Sequence, residues 1–228
     1  MNFEQIEIVA ETWKPQDVLA WGLERFGNSI ALASSFGAED VVLIDMAARV
    51  RTHFQVFTLD TDFLFPETYQ LIDTIEKRYG IQVERRQSRL TPQQQEEQFI
   101  PQLWTRNPDQ CCNLRKVEPL KAKLAGLQAW ITGIRRDQTP QRRNAAKIEF
   151  DINFGLVKLN PLADWTSTQV WQYIHGNHVP YNPLHDLGYP SIGCTHCTRP
   201  VAEGEDLRSG RWTGLQKTEC GLHLKEPA

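Results

Sequence analysis

The chain has 228 residues, of which 40% are hydrophobic, enough to bury the core of one α/β domain plus a tail. Its formal net charge of −3 offers no electrostatic footprint for general nucleic-acid binding. No apolar run approaches the roughly 18–20 residues of a membrane span, since Val41–Ile44 is cut short by Asp45.

Pro15–Phe26 reads as a helix, with Val18, Leu19, Leu23 and Phe26 on one face and Pro15 near its start. Ser29–Phe36 is a short apolar strand, Ala38–Val50 the next helix, and Phe54–Leu59 a strand ending in Asp60-Thr61-Asp62. Pro66–Tyr79 is a third helix, closed by Gly80 as a left-handed cap. Ile81–Glu84 and Ala129–Thr132 supply further strands around a helix at Asn113–Ala125, and Gln93–Gln98 stands out only as a Gln/Glu-rich patch. Strands separated by helices of this length predict a doubly wound, mostly parallel sheet with ligands at the carboxyl ends of its strands. After Asp151 the pattern loosens. Leu156–Leu162 is a strand broken by Pro161, and Asp164–Ser167 caps a helix over Thr168–His175. Val179–Pro200, rich in Pro, Gly, His and Tyr, folds best around something it ligates.

Two strand ends carry loops suited to anions. Ser34-Ser35-Phe36-Gly37-Ala38-Glu39-Asp40 feeds a helix N-terminus with hydroxyls and free N–H groups, although small residues also serve tight packing there. Thr132-Gly133-Ile134-Arg135-Arg136-Asp137, followed by Arg142 and Arg143, is either a grip for sulfate or phosphate or a solvated surface.

The five cysteines fall into pairs and a remainder: Cys111-Cys112, Cys194-Thr195-His196-Cys197, and Cys220 within Glu219–His223. Met1–Lys14 has neither the basic start nor the apolar core of a secretory leader, so a disulfide framework is not expected and a reducing cytoplasm is. Four thiolates suit a soft metal or an iron–sulfur cluster, which leaves the fifth for chemistry. Contiguous cysteines reach one tetrahedral zinc only with backbone strain, whereas a cubane offers each thiolate its own iron. Structural zinc stays the alternative, and a thioredoxin-type C-x-x-C is disfavoured by its loop context. His175, His178, His185 and His196 are set aside as ligands.

Taken together, these motifs resemble the assimilatory sulfonucleotide reductases, specifically the iron–sulfur adenylylsulfate (APS) reductases. The matching pieces are the loop Ser34–Asp40, Leu59-Asp60-Thr61, Cys111-Cys112, Gly133–Gln138, Gly193–Cys197, Arg208–Trp212 and Glu219–His223, in order over nearly the whole chain. The resemblance implies an adenine nucleotide alpha-hydrolase-like α/β domain over residues 1–200, including the cluster site, and a mobile tail over 201–228. It implies one 4Fe-4S cluster per chain on Cys111, Cys112, Cys194 and Cys197. Cys220 is then the nucleophile that takes the sulfo group from APS, and thioredoxin releases it as sulfite. Ser34, Ser35, Leu59 and Gly133 would line the adenosine and phosphate site; Lys116, Arg143, Arg208, Arg211 and His223 would face the sulfate. For Arg208 and Arg211 the plainer reading is a solvated helix face. Only five residues follow His223, so the reductant is expected to be a separate protein. The sequence is compatible with a homo-oligomer and implies neither nucleic acid nor membrane as a partner. Asp62 stands where the resembled family commonly has glycine, and Thr213-Gly214 where it has further aromatics. A phosphoadenylylsulfate (PAPS) or dual reductase is the alternative activity, with Arg85, Arg86 or Arg89 as the extra cation. A non-catalytic cluster- or zinc-bearing sensor would leave Cys220 without a use.

Overall fold

A computed structural model describes residues 3–202, 204–213, 217, 221 and 222. Helices α1 (Phe3–Ala10) and α2 (Pro15–Phe26) lead into β1 (Ile30–Ala33), α3 (Ala38–Val50), β2 (Gln55–Asp60), α4 (Pro66–Tyr79) and β3 (Val83–Gln87). Short helices follow: α5 (Pro92–Gln98), α6 (Leu103–Arg106) and α7 (Pro108–Cys112). A π-helical turn at Asn113–Val117 then joins α7 to α8 (Glu118–Leu124). The remaining elements are β4 (Ala129–Ile131), β5 (Ile148–Asp151), β6 (Leu156–Leu159) and α9 (Ser167–Asn177).

The strands form one sheet in the order β3-β2-β1-β4-β6-β5, parallel throughout except for β5, which runs antiparallel to β6. Alternation along the strands separates two cores, because successive side chains leave opposite faces. Ile30, Leu32, Val56, Ala129 and Ile131 join the larger core beneath α3, while Ala31, Phe57 and Trp130 meet Leu120 and Leu124 of α8 on the other face. Helix α3 lies between α2 and α9 and is therefore buried nearly all round, from Val41 to Ala47. The chain crosses from β1 to β2 and β3 on one side, then returns to β4 on the other. That reversal opens a crevice at the carboxyl ends of β1 and β4.

The helices at Pro15–Phe26, Ala38–Val50 and Pro66–Tyr79 have the predicted limits, and Gly80 closes the last at φ +64, ψ +29. The first strand is shorter than predicted. It ends at Ala33 because the chain turns at Phe36, which is buried with φ +58. The helix expected from Asn113 begins at Pro108, and Gln93–Gln98 is part of α5, capped by Thr91. Among the described residues no helix is long and apolar enough to cross a membrane.

Candidate active site and four-cysteine cavity

A cavity of about 910 Å³ opens at the reversal point of the sheet. Its floor is the set of strand ends: Ser34 and Ser35 after β1, Leu59 and Thr61 at β2, Thr132 and Gly133 at β4. The carboxylate of Asp40, in the first turn of α3, fixes the first loop by accepting from the Ser35 N–H at 2.6 Å and the Ser35 hydroxyl at 2.8 Å. Burial is the main reason its pKa rises to about 6, against the lowering effect of those hydrogen bonds. Gly133 is needed here, since a Cβ would overlap the Asp40 carboxylate and Glu39. The glycine lets the β4 loop close on the N-terminus of α3.

The arginines divide. Arg135 is bound to Glu39 at 2.8 Å and to Asp137, and Arg136 to Glu11 at 2.6 Å and to the Ala145 carbonyl at 2.8 Å, so both are committed to joining loops. Arg142 lines the cavity and donates to Gln138 at 2.7 Å, while the neighbouring Arg143 is exposed and does not line it. Lys116, Arg208 and Arg211 do line it. Arg211 donates to the Ser191 hydroxyl at 3.0 Å and stacks on Trp212, 4.6 Å from the ring centroid. Arg85 and Arg86 pair with Asp73 and Glu84, and neither they nor Arg89 line the cavity.

Next to this cavity lies a smaller one, lined by Cys111, Cys112, Cys194 and Cys197 together with Phe63, Trp104, Pro108, Arg115, Lys116 and His196. Two elements bring the thiols together. The π-helical turn just after Cys111-Cys112 belongs to a class of distortion that is frequent at functional sites. The 3-10 turn Thr195–Cys197 is tied to the β2–α4 loop by a Leu64–Cys194 bridge and by Thr195 N–H donating to Phe63 O at 2.8 Å. All four are free thiols. Burial and then the neighbouring thiols push Cys111 up to about 12 and Cys197 to about 11, with Lys116 and Arg211 opposing the rise at Cys197. Such thiols stay neutral unless a cation binds them. The donor set is soft sulfur, and no carboxylate lines this cavity among the described residues, which fits an iron–sulfur group. Among those residues no group of three or more His, Cys, Asp or Glu closes on a single metal ion. Trp104 and His196 stack at 4.1 Å and Phe63 packs edge-on against both, so rings form part of the wall.

Lys116 and Cys194 line both cavities and so form the partition between them. Cys220 and His223 lie outside the described residues, while Leu222 lines the larger cavity. Asp40, Thr61 and Arg142 belong to stretches that the sequence marks, the Ser34–Asp40 loop, Leu59-Asp60-Thr61 and the arginine-rich segment after β4, whereas Arg115 carries no such signal.

Residues 29–200 match the phosphoadenosine phosphosulfate reductase domain. The chain is 47% identical over 224 residues to the adenosine 5'-phosphosulfate reductase of Halalkalibacterium halodurans, covering 98% of this chain and 97% of that one. It is 48% identical over 215 residues to the protein of the same name from Geobacillus kaustophilus, covering 94% and 92%. Among solved structures, the phosphate complex of phosphoadenylyl-sulfate reductase from Candida auris superposes with a TM-score of 0.77 at 32% identity, over 87% of this chain and 98% of that chain. Candida glabrata FMN adenylyltransferase, with a TM-score of 0.59 at 16% identity over 85% and 67%, shares the fold alone.

Proposed function

Because this chain belongs to the family defined by the phosphoadenosine phosphosulfate reductase domain, we propose that it reduces adenosine 5'-phosphosulfate to sulfite and AMP in sulfate assimilation. The observation that carries this reading is the shared wall. Lys116 borders both the nucleotide-sized cavity at the strand ends and the four-cysteine cavity, which supports a phosphosulfate seated between Lys116, Arg208 and Arg211.

Ser34, Ser35, Leu59 and Gly133 receive the adenosine and phosphate at the strand ends. The Cys220 thiolate attacks the sulfate sulfur, an S–S bond forms, and the S–O bond to AMP breaks with its electron pair leaving on the AMP phosphate. A dithiol of the thioredoxin type then attacks the Cys220 sulfur; its two thiols become a disulfide, and sulfur leaves as sulfite two electrons richer. A thiol near its reference pKa of about 8.5 is only a few per cent thiolate at neutral pH. A cation about 4 Å away contributes roughly 4 kcal/mol at an effective dielectric of about 20, so Lys116, Arg208 and Arg211 favour the thiolate and offset its repulsion from the sulfate. His223 is assigned to the same face.

Cys111, Cys112, Cys194 and Cys197 are the residues that would hold one 4Fe-4S cluster per chain, which supplies a structural anchor and a local field when bound. In this reading residues 1–200 bind nucleotide and cluster in the cytoplasm, and 201–228 carry the nucleophile. The test is sulfite release from APS with thioredoxin and its reductase present. Turnover that requires both APS and the dithiol is expected; a chain that binds APS without releasing sulfite would be a sensor instead.

A further inference from the structure

Arg115 is 1% exposed, yet it lies in the wall of the four-cysteine cavity rather than at the surface. Its Nε donates to Gln95 at 2.8 Å, and its Nη1 donates to the Thr61 carbonyl at 3.2 Å and the Asp62 carboxylate at 2.7 Å. Its Nη2 is buried with no hydrogen-bond acceptor. A buried guanidinium N–H without an acceptor is costly, and the acceptors it lacks are those an anionic group in this cavity provides.

The residue that balances it has an unusual backbone. Asp62 sits at φ +60, a conformation that favours glycine. Its side chain, 28% exposed, makes the ion pair with Arg115 and also accepts from Gln87 at 3.1 Å. One residue earlier, the Thr61 hydroxyl lies 3.3 Å from the Cys194 sulfur. It accepts from the Phe63 N–H at 3.3 Å, and once Cys194 is a thiolate the hydroxyl must be the donor to it. Arg115 therefore holds the loop whose threonine bonds a cluster-facing sulfur, and brings a positive charge to the same wall.

We propose that Arg115, balanced by Asp62, is the positioning pair that sets the charge and hydrogen bonding felt by an iron–sulfur cluster in this cavity. The proposal rests on the cofactor reading above. Four thiolates make the cluster site anionic, and one-electron reduction adds a further negative charge. A cation in the wall favours the reduced form, and an anion paired with that cation opposes it.

The experiment is reductive titration of the anaerobically purified full-length holoprotein, with iron content measured on the same samples. Arg115→Gln is expected to weaken the one-electron reduction equilibrium at least tenfold, which is about 59 mV. Asp62→Asn should move it the other way by about threefold or more, and Arg115→Lys should stay close to the parent. Because Asp62 lies partly at the surface, Asp62→Asn decides the matter even where Arg115→Gln fails to fold. Shifts in the same direction for both variants, or none at full iron content, would overturn the proposal. A parent protein without iron would overturn the cofactor reading along with it.

Discussion

The guanidinium of Arg211 occupies the space that a Cβ on Gly193 would take. Gly193 directly precedes Cys194, and Arg211 is held there by Ser191 and by its stacking on Trp212. The glycine thus lets one cation lie against the segment that carries a cavity-lining cysteine. Gly193→Ala should displace Arg211 and lower kcat/KM for APS by about a hundredfold, the cost of a misplacement of roughly 1 Å. The double variant Gly193→Ala/Arg211→Ala should be little worse than Arg211→Ala alone, since both changes act through one side chain. Additive losses in sulfite release would mean that the glycine serves another purpose.

Asp40 gives a pH dependence with a definite sign. Its folded pKa of about 6 lies above its ordinary value of 3.8, mainly because it is buried. The folded state therefore holds this proton more tightly, so the stability linked to Asp40 is fully present below pH 3.8 and is lost as pH rises through about 6. Relative to an Asp40→Asn variant, the parent should gain about 1 kcal/mol between pH 7 and pH 5. Urea unfolding of both proteins at those two pH values checks it, and parallel curves would show that Asp40 is solvated. Activity should fall over the same window as the Ser35 loop loses its carboxylate acceptor.

The four-cysteine cavity predicts the metal content. Anaerobically purified protein should carry about four irons per chain, and Cys111→Ser should lose them. Removing iron with a chelator should speed hydrogen exchange in Val179–Pro200, where 3-10 turns replace longer elements. One zinc and no iron would reassign the cavity to a structural ion.

Substrate choice follows from what lines the larger cavity. Arg85 and Arg86 are paired with acids on α4 and β3 and do not line it. The catalytic efficiency should favour APS over PAPS at least tenfold, about 1.4 kcal/mol. Arg85→Ala and Arg86→Ala should leave that ratio unchanged. Equal efficiencies would point to a 3'-phosphate contact from Arg142 or Arg208.

The long helices and the parallel sheet could be read from sequence because α2 and α4 keep one apolar stripe, begin with proline and end at a glycine, Gly27 and Gly80. The cysteine pairs could be read because spacing alone distinguishes them. Other features depend on tertiary contacts. Helix α5 is a polar run whose only fully inward residue, Gln95, is chosen by Arg115 from a helix farther along the chain. The π-helical turn after Cys112 carries no propensity signal. Of two adjacent arginines, Arg142 faces the cavity and Arg143 does not, a distinction set by the 3-10 turn at Pro140–Arg142. β5 carries little sequence signal because it is a short edge strand with Phe150 turned outward.

The destination of the sulfo group separates the reacting cysteine from the four that hold a cluster. Enzyme incubated with APS and no reductant should gain roughly 80 Da on the peptide bearing Cys220, with AMP released in equal amount, as two-step nucleophilic catalysis requires. Mass spectrometry of the digested protein measures it. Cys220→Ser should lose the adduct while keeping its iron and its affinity for APS. An adduct on Cys111, Cys112, Cys194 or Cys197, or iron lost together with Cys220, would contradict the division of the five cysteines into four that hold and one that reacts.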